Sequence, residues 1–302
     1  MNMNRREFLT MTLAGAAGAM MAPSLLAADA AAAANPFKLV PLGKTGLKVS
    51  LVAAGTGMRG GQRASNMTRL GKEKFEALLK YEYQQGVRFF DLADMYGSHE
   101  FLASALKGVP RDSYVINTKI WFMGGALPEK ERPDANVVID RFRKELNTDY
   151  IDLVLIHCMS DANWTDKMKK QMDIMEEVKS KGIIKAHGVS CHSLAALKAA
   201  AESPWVDSIH ARINAYGDSM DDKNPAVVAD VLKTARANGK GVVGMKLVGE
   251  GRYRNDPAKR DESIKYVLGL NAVDTMIVGF EKTDEVDDFA ARVKKALAGN
   301  AA

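Results

Sequence analysis

IDLVLIHCM, residues 151–159, is apolar at nearly every position before His157. A strand with one wet face alternates polar and apolar residues, whereas a strand covered on both faces does not. The run therefore belongs in a parallel sheet with helices packed outside it. Outward from it, similar runs lie near 51–55, 87–91 and 114–119, and near 184–190, 207–214, 241–246 and 274–278. Helical spacings fall between them, at 72–85, 99–107, 136–146, 167–181, 193–202, 224–238, 258–269 and 283–297. In the first of these, Phe75, Leu78, Leu79 and Tyr83 share a face, and Gly86 stops the helix.

Parallel neighbours need crossover connections. Strand and helix alternate eight times here, over the length such a closed barrel typically takes, roughly 250 residues. The fold class is thus α/β, a (β/α)8 TIM barrel. Ahead of it, Phe37 and Leu39 and the Leu47-Val49-Leu51 alternation flank Gly43-Lys44-Thr45-Gly46, which predicts a short N-terminal β-hairpin. No sequence period repeats and no linker interrupts the pattern, so residues 35–302 are expected to form one domain.

The formal net charge of +5 over 302 residues comes without a sustained Lys/Arg run, so nucleic acid is not an expected partner. Residues 1–34 stand apart. Arg5-Arg6, then Phe8 and Leu9, precede LAGAAGAMMAPSLLAADAAAAA. This leader resembles a twin-arginine export signal, with cleavage expected between Ala28 and Ala34. A membrane anchor needs about 20 strongly apolar residues, and Pro23 with the many Ala and Gly residues makes this stretch too weak. The expectation is a periplasmic protein, exported folded by that machinery and without a stable membrane anchor. Cys158 and Cys191 are too few for a disulfide framework even in an oxidising compartment.

Chemistry in such a barrel sits at the C-terminal ends of the strands. In FFDLADMYG (89–97), Asp91 is the last inward residue of its strand. A carboxylate taken out of water needs a cationic partner. YVINTKI (114–120) places Val115, Asn117 and Lys119 on one face, and the 151–159 run places Leu153, Leu155 and His157 there. Three consecutive strands thus bring Asp91, Lys119 and His157 to one rim, with Tyr96 just beyond the first. Taken singly, these are a turn-capping aspartate, a snorkelling lysine, a hydrogen-bonded core histidine and a core tyrosine. Sharing one rim, they point to proton chemistry.

With those residues in place, the sequence resembles the aldo-keto reductase family. LGKTGLKVS (42–50), FFDLADMYG (89–97), INTKI (116–120), RFRKELNTDYIDLVLIH (141–157) and GVS (188–190) follow the family's order and spacing, across nearly all of 38–297. The resemblance implies an NAD(P)H-dependent oxidoreductase that reduces a small aldehyde or ketone to an alcohol. Tyr96 would be the general acid and Lys119 would lower its pKa from the usual ~10. Asp91 would hold Lys119, and His157 would place the carbonyl oxygen. Hydride would come from the nicotinamide.

The resemblance also implies cofactor contacts. Ser190 and Cys191 stand where the family has a Ser-Asn pair, His210 stands in place of its glutamine, and Asn214 matches a later asparagine. Met245 replaces the aromatic that stacks on the ring, with Lys246 beside it for a phosphate. The Gly249–Arg254 stretch would be a mobile basic loop over the pyrophosphate. MIVGFEKTDEVDD (276–288) resembles the adenosine segment, with Gly279 and Asp288 as contacts. Glu281 stands where a basic residue often meets a 2′-phosphate. NADP(H) is the family default and NAD(H) the alternative. Trp121 and Phe122, then Trp164 and Tyr216, are candidate substrate walls.

Two other readings stand beside this one. His157-Cys158 and Cys191-His192 end neighbouring strands, yet they match no compact metal-ligand spacing, and each pair offers only one inward side chain, so no metal is expected. Both cysteines are expected to face the helix layer. The second alternative is an exported nucleotide- or partner-binding barrel with little turnover, since fold alone does not fix function.

Overall fold

The computed structural model describes residues 32–299. The leader read over 1–34 lies outside them, except for its last three residues. The chain opens with an antiparallel hairpin, β1 (Leu39–Pro41) and β2 (Lys48–Ser50). Eight parallel strands follow: β3 (Val52–Gly55), β4 (Phe89–Asp91), β5 (Val115–Ile120), β6 (Ile151–Met159), β7 (Ile184–Cys191), β8 (Ser208–Arg212), β9 (Gly241–Met245) and β10 (Thr275–Val278). They close in chain order, with β10 beside β3. The predicted barrel and hairpin are both present.

Helices α1 (Lys72–Gln85), α2 (His99–Ala105), α3 (Ala135–Leu146), α4 (Trp164–Lys167), α5 (Lys169–Ser180), α6 (Leu194–Glu202), α7 (Pro225–Ala237), α8 (Pro257–Gly269) and α9 (Thr283–Gly299) surround the barrel. The single helix expected over 167–181 is divided at Met168. Among the described residues, no helix is long and apolar enough to cross a membrane.

Alternation along the strands makes two cores. Outward residues meet the helices in one large cluster. Inward residues such as Ala53, Phe89, Leu153 and Val243 form the second, together with Leu42, Leu47 and Val49 of the hairpin. The hairpin plugs the end of the barrel where strands begin. The Gly43 N–H donates to Asp274 Oδ2 (3.1 Å), and that of Lys44 donates to the Gly239 carbonyl (2.8 Å). Gly43 has φ +50°, and a Cβ there would lie 2.3 Å from the Gly241 nitrogen, so only glycine fits.

Aspartates tie strands together at that closed end. Asp152 accepts from the Ile116 N–H (2.9 Å), Asp207 from that of His187 (3.0 Å) and Asp274 from that of Val242 (2.9 Å). Each also pairs with a cation, including Arg111, Lys179 and Arg236 respectively, which offsets the cost of removing the carboxylate from water. The strand-end face is the one left open.

β6 departs from simple alternation. Its register with β7 shifts between Ile156 and Met159, and Cys158 has φ +61°. This bulge re-aims the side chain. Cys158 was expected in the helix layer; instead it is half-buried, with its N–H donated to Ser190 Oγ (2.8 Å) and its Sγ 3.4 Å from His192 Nε2. Cys191 lies in the outer core as expected, and both thiols are free.

Candidate active site

β4, β5 and β6 are neighbours, and their registers bring Asp91 level with Asn117, and Lys119 level with Leu155. Asp91 Oδ1 accepts from Lys119 Nζ and from Asn117 Nδ2, each at 2.5 Å, and Lys119 also donates to the Leu92 carbonyl (2.9 Å). Lys119 is 1% exposed and Asp91 is 5% exposed. Burial pulls the lysine pKa down and the carboxyl pKa up, while each partner's charge pulls the other way. The short contact and the added donor and acceptor describe an ion pair.

Beyond β4 the chain makes a 3₁₀ turn, Asp94–Tyr96, that ends at Gly97 (φ +63°). A Cβ at Gly97 would lie 2.1 Å from the Arg63 carbonyl oxygen. This tight turn presents Tyr96, half-buried, over the rim. Its hydroxyl is 3.4 Å from His157 Nε2, and the two rings meet edge-on at 5.6 Å. Trp121 also meets His157 edge-on, at 5.6 Å. The Lys119 ammonium is 5.0 Å from the Tyr96 ring centroid.

Burial, then the charges of Asp91 and Cys158, push the Tyr96 pKa above the usual tyrosine value. The ammonium is committed to Asp91 and a backbone carbonyl. Burial, followed by the positive charge of Lys119, holds His157 well below the ordinary histidine value. A neutral imidazole and a protonated phenol therefore face each other, a pairing able to hold and pass one proton.

Beside Tyr96 runs a groove lined by Gly55, Gly57 and Met58, by Met245, Lys246 and Gly279, and by Phe280 and Phe289. Met245, Lys246 and Gly279 are thus in it. Ser190 and His210 are not: they are 1% and 0% exposed, inside the barrel. His210 Nδ1 lies 3.6 Å from Asp91 Oδ1. Cys191 faces the helices and does not reach the groove. Asn214 is used up locally, donating to the Asp218 and Lys246 carbonyls (2.7 and 3.2 Å) and accepting from the Tyr216 N–H (3.0 Å). Asp288 pairs with Arg260 (2.6 Å), whose side chain borders the groove, and with Arg292 (2.9 Å).

The Gly249–Arg254 stretch is anchored rather than free. Lys246 pairs with Glu250 (2.7 Å), and Arg254 bridges Glu281 (2.8 Å) and Glu285 (2.6 Å). Tyr253 is 1% exposed and donates to Asp218 (2.6 Å). Of the aromatic walls, Trp121 touches the site. Phe122 packs on the outer core, Trp164 is buried in it, and Tyr216 meets Tyr253 edge-on.

Sequence reasoning missed Asn117, although its inward spacing two residues before Lys119 was a signal. It also missed the arginines on Asp94, because Arg63 and Arg141 lie 31 and 47 residues away. Among the described residues, no three His, Cys, Asp or Glu side chains converge as metal ligands.

A closed parallel barrel whose open rim carries a Tyr–His pair over a buried Lys–Asp pair, beside a groove, defines the class of α/β barrel to which this chain belongs. A sequence profile of the aldo/keto reductase family matches residues 52–263, most of the chain, and the protein belongs to that family. An Alternaria alternata aldo-keto reductase is 26% identical over 76% of this chain and 69% of its own. The NADH-specific methylglyoxal reductase of Escherichia coli is 27% identical over 51% of this chain and 52% of its own. The chain thus spans about half the length of that curated relative, and 36% of yeast D-arabinose 1-dehydrogenase. Among solved structures, the holo form of an aldo-keto reductase from Bacillus halodurans superposes with TM-score 0.67 at 18% identity, covering 87% of this chain and 96% of its own.

Proposed function

We propose that the protein is a nicotinamide-dependent oxidoreductase that reduces a small aldehyde or ketone, with Tyr96 as its proton donor. The observation that carries this is the Tyr96 hydroxyl 3.4 Å from a neutral His157 at the open rim, beside the groove. The residues fit a dinucleotide: a flexible, polarisable Met245 for a flat ring, Lys246 and Arg260 for phosphates, and Phe280 and Phe289 for a second ring system. The cofactor supplies the hydride when bound. Tyr96 donates to the carbonyl oxygen as negative charge develops there. His157 orients that oxygen and the hydroxyl. The Lys119–Asp91 pair fixes the floor beneath them.

Within this reading the cofactor is NAD(H). Glu281 and Glu285 flank Arg254 at the α9 end of the groove and already satisfy it, so an additional phosphate there would meet two carboxylates. The methylglyoxal reductase activity of the Escherichia coli relative makes methylglyoxal the first substrate to try. Initial rates with NADH and with NADPH, against methylglyoxal and a panel of aldehydes, test the proposal. NADH oxidation faster than NADPH oxidation is expected; no oxidation of either with any carbonyl would overturn it. The Arg5-Arg6 leader further supports export to the periplasm. Replacing both arginines by lysine should leave the protein in the cytoplasmic fraction.

A further inference from the structure

Residues 57–66, the segment after β3, lie directly on the Tyr96 turn. A Cβ at Gly57 would fall 2.2 Å from the Tyr96 ring and one at Gly60 2.5 Å from it, so bare backbone covers the phenol. The Arg63 carbonyl oxygen fills the place a side chain at Gly97 would take. The segment therefore touches Tyr96 and the residue after it.

The same segment is fastened at both ends. Gly61 and Ala64 exchange N–H···O bonds (2.9 and 3.0 Å) around Gln62 and Arg63, which have φ +51° and +56°. Two non-glycine residues in the left-handed region are unfavourable and persist only where surroundings hold them. Arg63 supplies that hold. Its Nε donates to Asp94 (2.9 Å) and its NH1 to Glu131 (2.5 Å). Asp94 stands two residues before Tyr96, is 3% exposed, and accepts also from Arg141 (2.7 Å). Arg141 continues to Glu145 (2.8 Å), Glu145 to His99 (2.6 Å) and His99 to Thr118 (2.7 Å), the neighbour of Lys119. At the far end, Asn66 donates to Glu281 (2.8 Å) beside the groove.

We propose that residues 57–66 are a strap that sets the Tyr96 ring in its working position, and that the Arg63–Asp94 ion pair is its latch. Arg63 and Asp94 are positioning residues, acting through Tyr96, and the proposal rests on Tyr96 being the proton donor. Losing Arg63 leaves Asp94 paired with Arg141, so the fold survives while the strap lifts. A reacting group displaced by about 1 Å can lose roughly 10²-fold in rate.

The experiment compares wild type, Arg63→Ala, Gly60→Ala and Tyr96→Phe in saturating-carbonyl turnover, cofactor affinity by fluorescence quenching, and thermal unfolding. Arg63→Ala should lose on the order of 10²-fold in kcat, with cofactor affinity within a few-fold. Guanidinium ion, at concentrations too low to unfold the protein, should restore part of that rate, because the Arg63 site is 37% exposed. Gly60→Ala, which pushes a methyl into the ring, should slow turnover without rescue. Wild-type kcat in Arg63→Ala beside an inactive Tyr96→Phe would overturn the strap and leave the Tyr96 reading intact. A slow Arg63→Ala that guanidinium does not rescue would reduce the pair to a fold contact and also overturn it. Activity surviving in Tyr96→Phe would instead remove the reading on which the strap rests.

Discussion

Lys119 Nζ meets Asp91 Oδ1 at 2.5 Å, while it stands 5.0 Å from the centre of the Tyr96 ring. The lysine's charge is spent on the carboxylate below, and the phenol is left protonated above it. The site is thus stratified: a buried ion pair, then a neutral Tyr–His pair, then the open rim.

Removing one member of that buried pair should cost more than removing both. Lys119→Met leaves Asp91 enclosed without its cation, and breaking a buried pair in this way typically costs about 3–5 kcal/mol. Asp91→Leu combined with Lys119→Met should recover most of that stability in urea unfolding, and neither variant should turn over. Equal destabilisation by single and double variants would mean the pair is not coupled.

The pH dependence of turnover follows from the Tyr–His pair. His157 is neutral because its pKa lies well below the usual value, and Tyr96 is protonated because its pKa lies well above. Both remain in the active form across neutral pH. Turnover at saturation should therefore be flat from about pH 5.5 to pH 8, straddling the free-histidine pKa of ~6.5. It should fall only at the extremes, in acid as His157 takes a proton. A fall of turnover with a midpoint near that free-histidine pKa would show His157 to be solvated.

Glu82 on α1 offers a stability test remote from the site. It is 3% exposed, and burial alone pushes its carboxyl up to about 8. The unfolded chain releases this proton near pH ~4.3, so from there upward the folded state holds a proton the unfolded state has lost. Stability from this group is accordingly lost as pH rises toward 8. Glu82→Gln should match wild type near pH 4 and become progressively the more stable of the two up to pH 8. A gap that stays constant with pH would contradict the burial effect.

The barrel was legible because each strand carries its own record of burial, as in the 151–159 run, and because Asp91, Lys119 and His157 keep the two-residue period of inward positions. The bulge at Cys158 broke that period, and with it the orientation read for the thiol, since nothing local marks a residue with φ +61°. Which cation meets which carboxylate was less legible still. Lys119 could serve Asp91 or Tyr96, and Arg254 could serve a phosphate or Glu281 and Glu285, and only packed geometry decides between partners far apart in the chain. The hold of Gly57 and Gly60 on Tyr96 escaped for the same reason.

The most direct test of the account is saturated turnover by Tyr96→Phe with NADH and a good aldehyde, with NADH affinity measured on the same preparation. Only the hydroxyl is removed, and the ring that packs on Gly57 and Gly60 is kept. The account predicts a kcat lower by about 10²–10⁴-fold, the usual worth of a general acid, with NADH affinity within a few-fold of wild type. A variant that turns over at the wild-type rate would contradict it.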